Sequence, residues 1–195
     1  KAGREPWRAA AALLWETAQP APFAPEPLHQ AWSARLNSPA SSSIGRLFDA
    51  AAALCGICTH ASFEGEGPMR LEAAASSTTG EVVELPLERD SSGIWRSDWA
   101  PLLPMLADEA HPVAERAARF HLSLAQALVE QAQQLRKQTG TRSVGLTGGV
   151  FQNRLLAEAA IERLQVAGFS VHLPRRVPVN DAGLSLGQVI EFLHP

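Results

Sequence analysis

The sequence predicts an α/β chain with a large helical portion. Two observations carry this. Residues 141–195 read as strand, glycine turn, helix, strand, loop, helix, a βαβα order. Residues 1–140 carry apolar stripes at helical spacing, broken by one small hairpin. The 195 residues suffice for one substantial core or two small lobes.

Arg4 to Ala18 form the first predicted helix, with Trp7, Ala10, Ala11, Leu14 and Trp15 on its apolar face. Pro20 to Pro27 make a proline-rich connection, and Leu28 to Leu36 a short second helix. Pro39 to Ser43 form a loop into a helix over Ile44 to Gly56, with Leu47, Phe48, Ala51 and Leu54 inward. Asp49 lies beside that face, and on pattern alone it reads as a solvated or capping carboxylate. Residues 60–67 are a Gly- and Glu-rich loop, followed by a helix over Met69 to Ala75. Glu81 to Leu85 read as a strand that stops at Pro86, because proline cannot donate to a ladder. Arg89 to Gly93 carry turn chemistry, and Ile94 to Arg96 return to complete a hairpin. Pro112 suits the first position of a long helix, with Val113, Ala117, Phe120, Leu124, Leu128 and Leu135 on one stripe. Gly140 ends it.

The final stretch holds the clearest chemistry. Ser143 to Thr147 are a short strand that stops at Gly148-Gly149, where paired glycines allow positive φ and close backbone approach. Gln152-Asn153 precede a helix over Arg154 to Ala167, which Gly168 closes. Phe169 to Leu173 form the next strand. Pro174 and Pro178 stiffen a loop, and Asn180-Asp181 stand at the start of an apolar helix over Ala182 to Leu193. A strand feeding a helix through glycines offers free N–H groups and the positive end of a helix dipole, which suits a phosphate. Asn153 is placed to bond a hydroxyl or phosphate oxygen, and Asp181 is a carboxylate on a second loop that can converge with the first. The glycine pair fits neither the dinucleotide fingerprint nor the P-loop spacing, so two ordinary α/β turns explain the pattern equally well.

Composition bounds the class. The chain is 46% hydrophobic and 19% charged, as globular chains are, and its net charge of −3 argues against a general nucleic-acid grip. No apolar run reaches membrane length. The chain opens on Lys1 without a signal-peptide pattern, so the expectation is a cytoplasmic protein and a piece of something longer. Cys55 and Cys58 form C-x-x-C without a second such pair, and their apolar surroundings read as buried structural thiols. No two of the six histidines form an i, i+4 pair. His121, beside Phe120 on the buried stripe, reads as a packed histidine.

Four separated segments carry a family resemblance. They are Ser42 to Gly56 (SSIGRLFDAAAALCG), Phe63 to Glu72 (FEGEGPMRLE), Ala118 to His121 (ARFH), and Leu146 to Leu156 (LTGGVFQNRLL) with Arg175 to Gln188 (RRVPVNDAGLSLGQ). Together, in this order, they resemble the C-terminal part of the HypF-type carbamoyltransferases of [NiFe]-hydrogenase maturation. That part is similar to the tRNA threonylcarbamoyl transferases. The resemblance covers nearly the whole chain. It implies a lobe of the actin/sugar-kinase/heat-shock ATPase superfamily, a mixed sheet flanked by helices, with residues 1–195 as the C-terminal portion of a carbamoyltransferase domain.

The resemblance further implies an activity and a site. The activity is transfer of a carbamoyl group from carbamoyl-adenylate, made from carbamoyl phosphate and ATP at a separate domain, to the C-terminal cysteine of a HypE-type partner. That group ends as the cyanide ligand of the hydrogenase iron. Gly148, Gly149 and Asn153 match the family's nucleotide loop. Asp49 matches an acid at the ribose or carbamoyl-adenylate region, Gly65 a backbone contact to nucleotide, and Glu72 a nearby acid. Asp181 matches a carboxylate that completes a divalent metal site for Fe, Zn or Mg. The family's two metal-binding histidines precede the region covered, so this chain holds at most half a site. An O-carbamoyl or threonylcarbamoyl transferase of the same superfamily, or a docking lobe without turnover, are the alternatives.

Overall fold

A computed structural model describes residues 3–75 and 80–194. In chain order the helices are α1 (Pro6–Glu16), α2 (Glu26–Ser33), α3 (Ile44–Leu54), α4 (Glu66–Ala74), α5 (Leu102–Ala107), α6 (Val113–Thr139), α7 (Arg154–Val166) and α8 (Leu184–Leu193). The strands are β1 (Leu87–Arg89), β2 (Trp95–Ser97), β3 (Ser143–Gly145) and β4 (Ser170–His172). β1 and β2 pair antiparallel with Leu87 opposite Ser97, and β3 and β4 pair parallel with Val144 opposite Val171. The two pairs are separate two-stranded sheets. The result is a helix-rich α/β fold.

The 27-residue α6 is the axis. Its first half is buried on several sides, through Ala117, Ala118, Phe120, His121, Leu122, Leu124 and Ala125. Phe120 meets Phe48 of α3 edge to face at 4.9 Å, and both rings join a core with Leu71, Leu102, Leu106, Leu156, Leu164 and Phe169. Leu135, expected on the buried stripe, is 48% exposed. Gly140, at φ +72°, closes it in the left-handed region that glycine adopts without cost. The Arg136 guanidinium lies over the Phe169 ring at 4.3 Å, and its Nη1 donates to the Ala167 carbonyl at 2.8 Å. This fastens α6 to the turn between α7 and β4.

α1 lies on α3 through small residues. Ala9 and Ala10 face Ala50, with Leu13, Ala53 and Leu54 at the edges. Small side chains let the two backbones approach closely. Cys55 and Cys58 are both buried and unpaired, and burial pushes the Cys55 thiol up to about 11.

The structure departs from the sequence pattern at further places. Glu81 to Leu85 form no strand; the antiparallel ladder begins at Leu87. The stretch is held on α6 by side chains instead. The Val83 amide donates to Ser123 Oγ at 2.9 Å, and Arg119 Nε donates to the Glu81 carbonyl at 3.2 Å. Pro112 is the cap of α6 rather than its first residue, and its carbonyl accepts from the Arg116 amide. α5 had no counterpart in the pattern, because six residues are too few to show a period. The hairpin turn stands where turn chemistry put it. There Asp90 Oδ1 accepts from the Ser92 hydroxyl at 2.6 Å and from the Ser92 and Ile94 amides at 2.9 Å each, and the hydroxyl first, then Arg96 and the amides, hold its carboxyl well below the usual range.

Candidate functional site

Two loops converge at the ends of the parallel strands. After β3 the chain reaches Gly148, whose φ of 108° and ψ of 153° are open to glycine alone. Its N–H donates to the Val179 carbonyl at 2.7 Å, and the Thr147 hydroxyl reaches the same carbonyl at 3.5 Å. The glycine loop is thereby tied to the loop that carries Asn180 and Asp181. Asn180 Oδ1 accepts from the Ala182 amide and turns the chain toward α8.

Opposite stands the α3–α4 pair. Gly67 lets these helices close up, since a Cβ there would lie 3.3 Å from the Ala52 Cβ and 3.5 Å from Asp49 Oδ1. Between the two walls is a cleft of about 960 Å³. Asp49, Gly65, Glu72, Gly149, Asn153 and Asp181 all line it. Gly148 does not, since it shapes the loop behind. Arg46, which the sequence reading passed over, lines it too. The signal for Arg46 was its position one turn before Asp49.

Each polar residue has a definite surrounding. Asp49 is 2% exposed, and its Oδ2 lies 2.8 Å from Arg46 Nη1 without hydrogen-bond alignment. Burial raises its pKa to about 6; Arg46 opposes the rise and Glu64 adds to it. It is therefore a buried, ion-paired acid rather than a solvated one. Gly65 caps α4 at φ +86°, with open space where a Cβ would be. Glu72 Oε1 accepts from the Arg154 amide at 2.7 Å and the Leu155 amide at 3.1 Å. Asn153 Oδ1 accepts from the Leu156 amide at 2.9 Å, and its Nδ2 lies 3.0 Å from His121 Nε2.

These bonds correct one expectation. The first-turn amides of α7 are not free for a phosphate, because Glu72 and Asn153 already occupy them. The amides of Gly149 and Val150 are differently placed. They open the short 3-10 turn Gly149–Gln152, so they have no partner within it, and both residues line the cleft.

A divalent metal does not fit this chain's residues alone. Asp181 is exposed and is a single carboxylate. Asp49 is paired with Arg46, and Glu72 is spent on α7. Among the described residues no group of three or more His, Cys, Asp or Glu could hold an ion.

The described residues thus form a helix-rich α/β lobe with a polar cleft. Among solved structures, the chain matches full-length HypF in its phosphate- and nucleotide-bound form over 100% of its own length, with a TM-score of 0.86 and 27% identity. It matches HypF of T. kodakarensis over 96%, with a TM-score of 0.78 and 26% identity. It covers 27% of each of those chains.

The chain belongs to the family described as carbamoyltransferase, Kae1-like domain, second subdomain, whose model matches residues 1–188. Carbamoyltransferase HypF of Rhodobacter capsulatus is 42% identical over 95% of the chain, and that of Rhizobium leguminosarum bv. viciae is 36% identical over 96%. The chain spans about a quarter of those curated relatives, 25% of each.

Proposed function

We propose that this chain forms one wall of the nucleotide cleft of a hydrogenase-maturation carbamoyltransferase. The reaction is transfer of a carbamoyl group from carbamoyl-adenylate, made upstream from carbamoyl phosphate and ATP, to the C-terminal cysteine of a HypE-type protein. The observation that supports it is the cleft itself. Segments far apart in the sequence bring Arg46, Asp49, Glu72, Gly149, Asn153 and Asp181 to one surface.

The division of labour follows from the chemistry of those groups. The Gly149 and Val150 amides and the Arg46 guanidinium face the phosphate of the adenylate. Asp49 accepts from a ribose hydroxyl, and Asn153 bonds a hydroxyl or phosphate oxygen. Gly65 brings its backbone against the nucleotide at an unencumbered position. Glu72 acts indirectly, by holding α7 and therefore Asn153 in place. The acceptor thiolate attacks the carbamoyl carbon, a C–S bond forms, and the C–O bond to phosphate breaks with its electron pair leaving on AMP. Preorganised donors that meet the growing phosphate charge, and fixed placement of both reactants, are the means of acceleration. Asp181 offers one ligand to a divalent ion, whose other ligands lie outside this chain. The setting is the cytoplasm; among the described residues no helix is long and apolar enough to cross a membrane.

The test is calorimetric titration of the intact protein with a non-hydrolysable ATP analogue, for wild type and Asn153→Ala. The expected result is a weakening of more than about tenfold, or about 1.4 kcal/mol, with the variant still folded by thermal melting. Unchanged affinity sinks the reading of the glycine–asparagine loop. Comparing a cysteine-terminated peptide with sugar alcohols as carbamoyl acceptors then fixes the acceptor class.

A further inference from the structure

Behind the cleft lies a buried histidine to which the mechanism has given no task. His121 is fully buried on α6, with its ring edge-on to Phe48 at 5.3 Å and to Phe120 at 5.8 Å. Its Nδ1 lies 2.7 Å from the Ala117 carbonyl and its Nε2 3.0 Å from Asn153 Nδ2. A carbonyl only accepts, so the ring hydrogen is on Nδ1. In a neutral ring Nε2 is then an acceptor, and the carboxamide must turn its NH2 toward it. The other end of Asn153 requires the same orientation independently, because its Oδ1 accepts from the Leu156 amide at 2.9 Å. Burial lowers the pKa of His121, while the Ala117 carbonyl and the nearby Glu72 charge oppose that. The neutral ring is the form the surroundings favour.

A directed chain of hydrogen bonds results. It runs from the Leu156 amide to Asn153 Oδ1, and from Asn153 Nδ2 to His121 Nε2. Nδ1 of the same ring then donates to the Ala117 carbonyl. One carboxamide N–H is used on the histidine. Asn153 is 9% exposed and lines the cleft, so its remaining N–H is the polar group it can offer there.

We propose that His121 is a positioning residue for the nucleotide cleft, its bare Nε2 fixing the Asn153 carboxamide so that the second N–H meets a hydroxyl or phosphate oxygen of the bound nucleotide. This rests on the nucleotide reading of the cleft. A histidine that merely fills the core would be replaced well by another aromatic ring. A positioning histidine is replaced well by a side chain that returns the acceptor.

The experiment is a double-mutant cycle on the intact protein, read as the Kd for a non-hydrolysable ATP analogue, with thermal midpoints as the folding control. Phe at 121 keeps the ring contacts and removes the acceptor; Gln carries an amide oxygen of similar reach. His121→Phe is expected to weaken binding about tenfold, as Asn153→Ala does, and His121→Gln to stay within about threefold of wild type. His121→Phe combined with Asn153→Ala is expected to bind no more weakly than Asn153→Ala alone, since both remove one device. Wild-type affinity in His121→Phe, beside weakened Asn153→Ala, overturns the inference and leaves the cleft reading standing. Wild-type affinity in Asn153→Ala overturns the cleft reading and the inference with it. Ring 15N shifts of the wild-type protein near neutral pH add a check that needs no variant. A protonated Nδ1 and bare Nε2 are expected, and an Nε2–H tautomer overturns the inference.

Discussion

Gly148 holds a backbone conformation that a Cβ forbids, and it donates its amide across to Val179. Gly149 has no such φ, and a Cβ there would meet Asn180 at 3.9 Å, an ordinary contact. Gly148→Ala should therefore lower stability by about 1–3 kcal/mol, and Gly149→Ala by less than about 0.5 kcal/mol, read from denaturant midpoints. The glycine pair is legible in the sequence; which member carries the strain is not, because φ has no signature in residue identity. Asp49 makes a second case. Its folded pKa of about 6 lies above the ordinary 3.8. Between those values the folded state holds a proton that the unfolded chain has lost, so stability falls as pH rises through the window and is lowest above it. Asp49→Asn removes that dependence. Any stability advantage of the variant at pH 7 should shrink toward pH 4, by up to roughly 3 kcal/mol at 1.36 kcal/mol per pKa unit. A constant difference across that range would show that Asp49 keeps an ordinary pKa.

At the scale of elements, α7 depends on residues outside itself. Asn153 caps it locally, and Glu72 of α4, 82 positions earlier, accepts its first two amides. Charge-assisted bonds of this kind are the stronger ones. Glu72→Ala should cost about 1–3 kcal/mol, since it leaves the part-buried Leu155 amide without its acceptor and returns the exposed Arg154 amide to water. The Arg154 and Leu155 amides should then lose protection in hydrogen exchange, while Glu72→Gln, which keeps an acceptor, should lose less. Exchange rates unchanged in Glu72→Ala would show that the contact carries no weight. The helix boundaries were readable because Leu155, Ala159, Ala160 and Leu164 recur at helical spacing, and Asn153 has cap chemistry. The Glu72 contact was unreadable, since no local pattern announces a cap delivered from another helix. The Glu81–Leu85 misreading has the same root. Its apolar Val82, Val83 and Leu85 fit a strand, but Ser123 and Arg119 of α6 supply the bonds a ladder would have given.

On the scale of the whole molecule, the packed helices and α8 differ in how their apolar residues are used. α1, α3, α6 and α7 bury their stripes against one another, whereas α8 buries none of its residues. Leu184, Leu186, Val189, Ile190, Phe192 and Leu193 are all exposed on that helix, Phe192 by 83%. Its apolar pattern was legible in the sequence, but burial was not, because a pattern records that a face needs covering and says nothing of what covers it. Contiguous exposed patches of this sort drive association when left bare. The 195-residue chain studied by itself should therefore self-associate with rising concentration in sedimentation experiments. Phe192→Lys should reduce that association without lowering the thermal midpoint, because the side chain packs against little within the fold. A fall in the midpoint, with association unchanged, would mean that Phe192 stabilises the chain itself and that the patch is not what brings copies together.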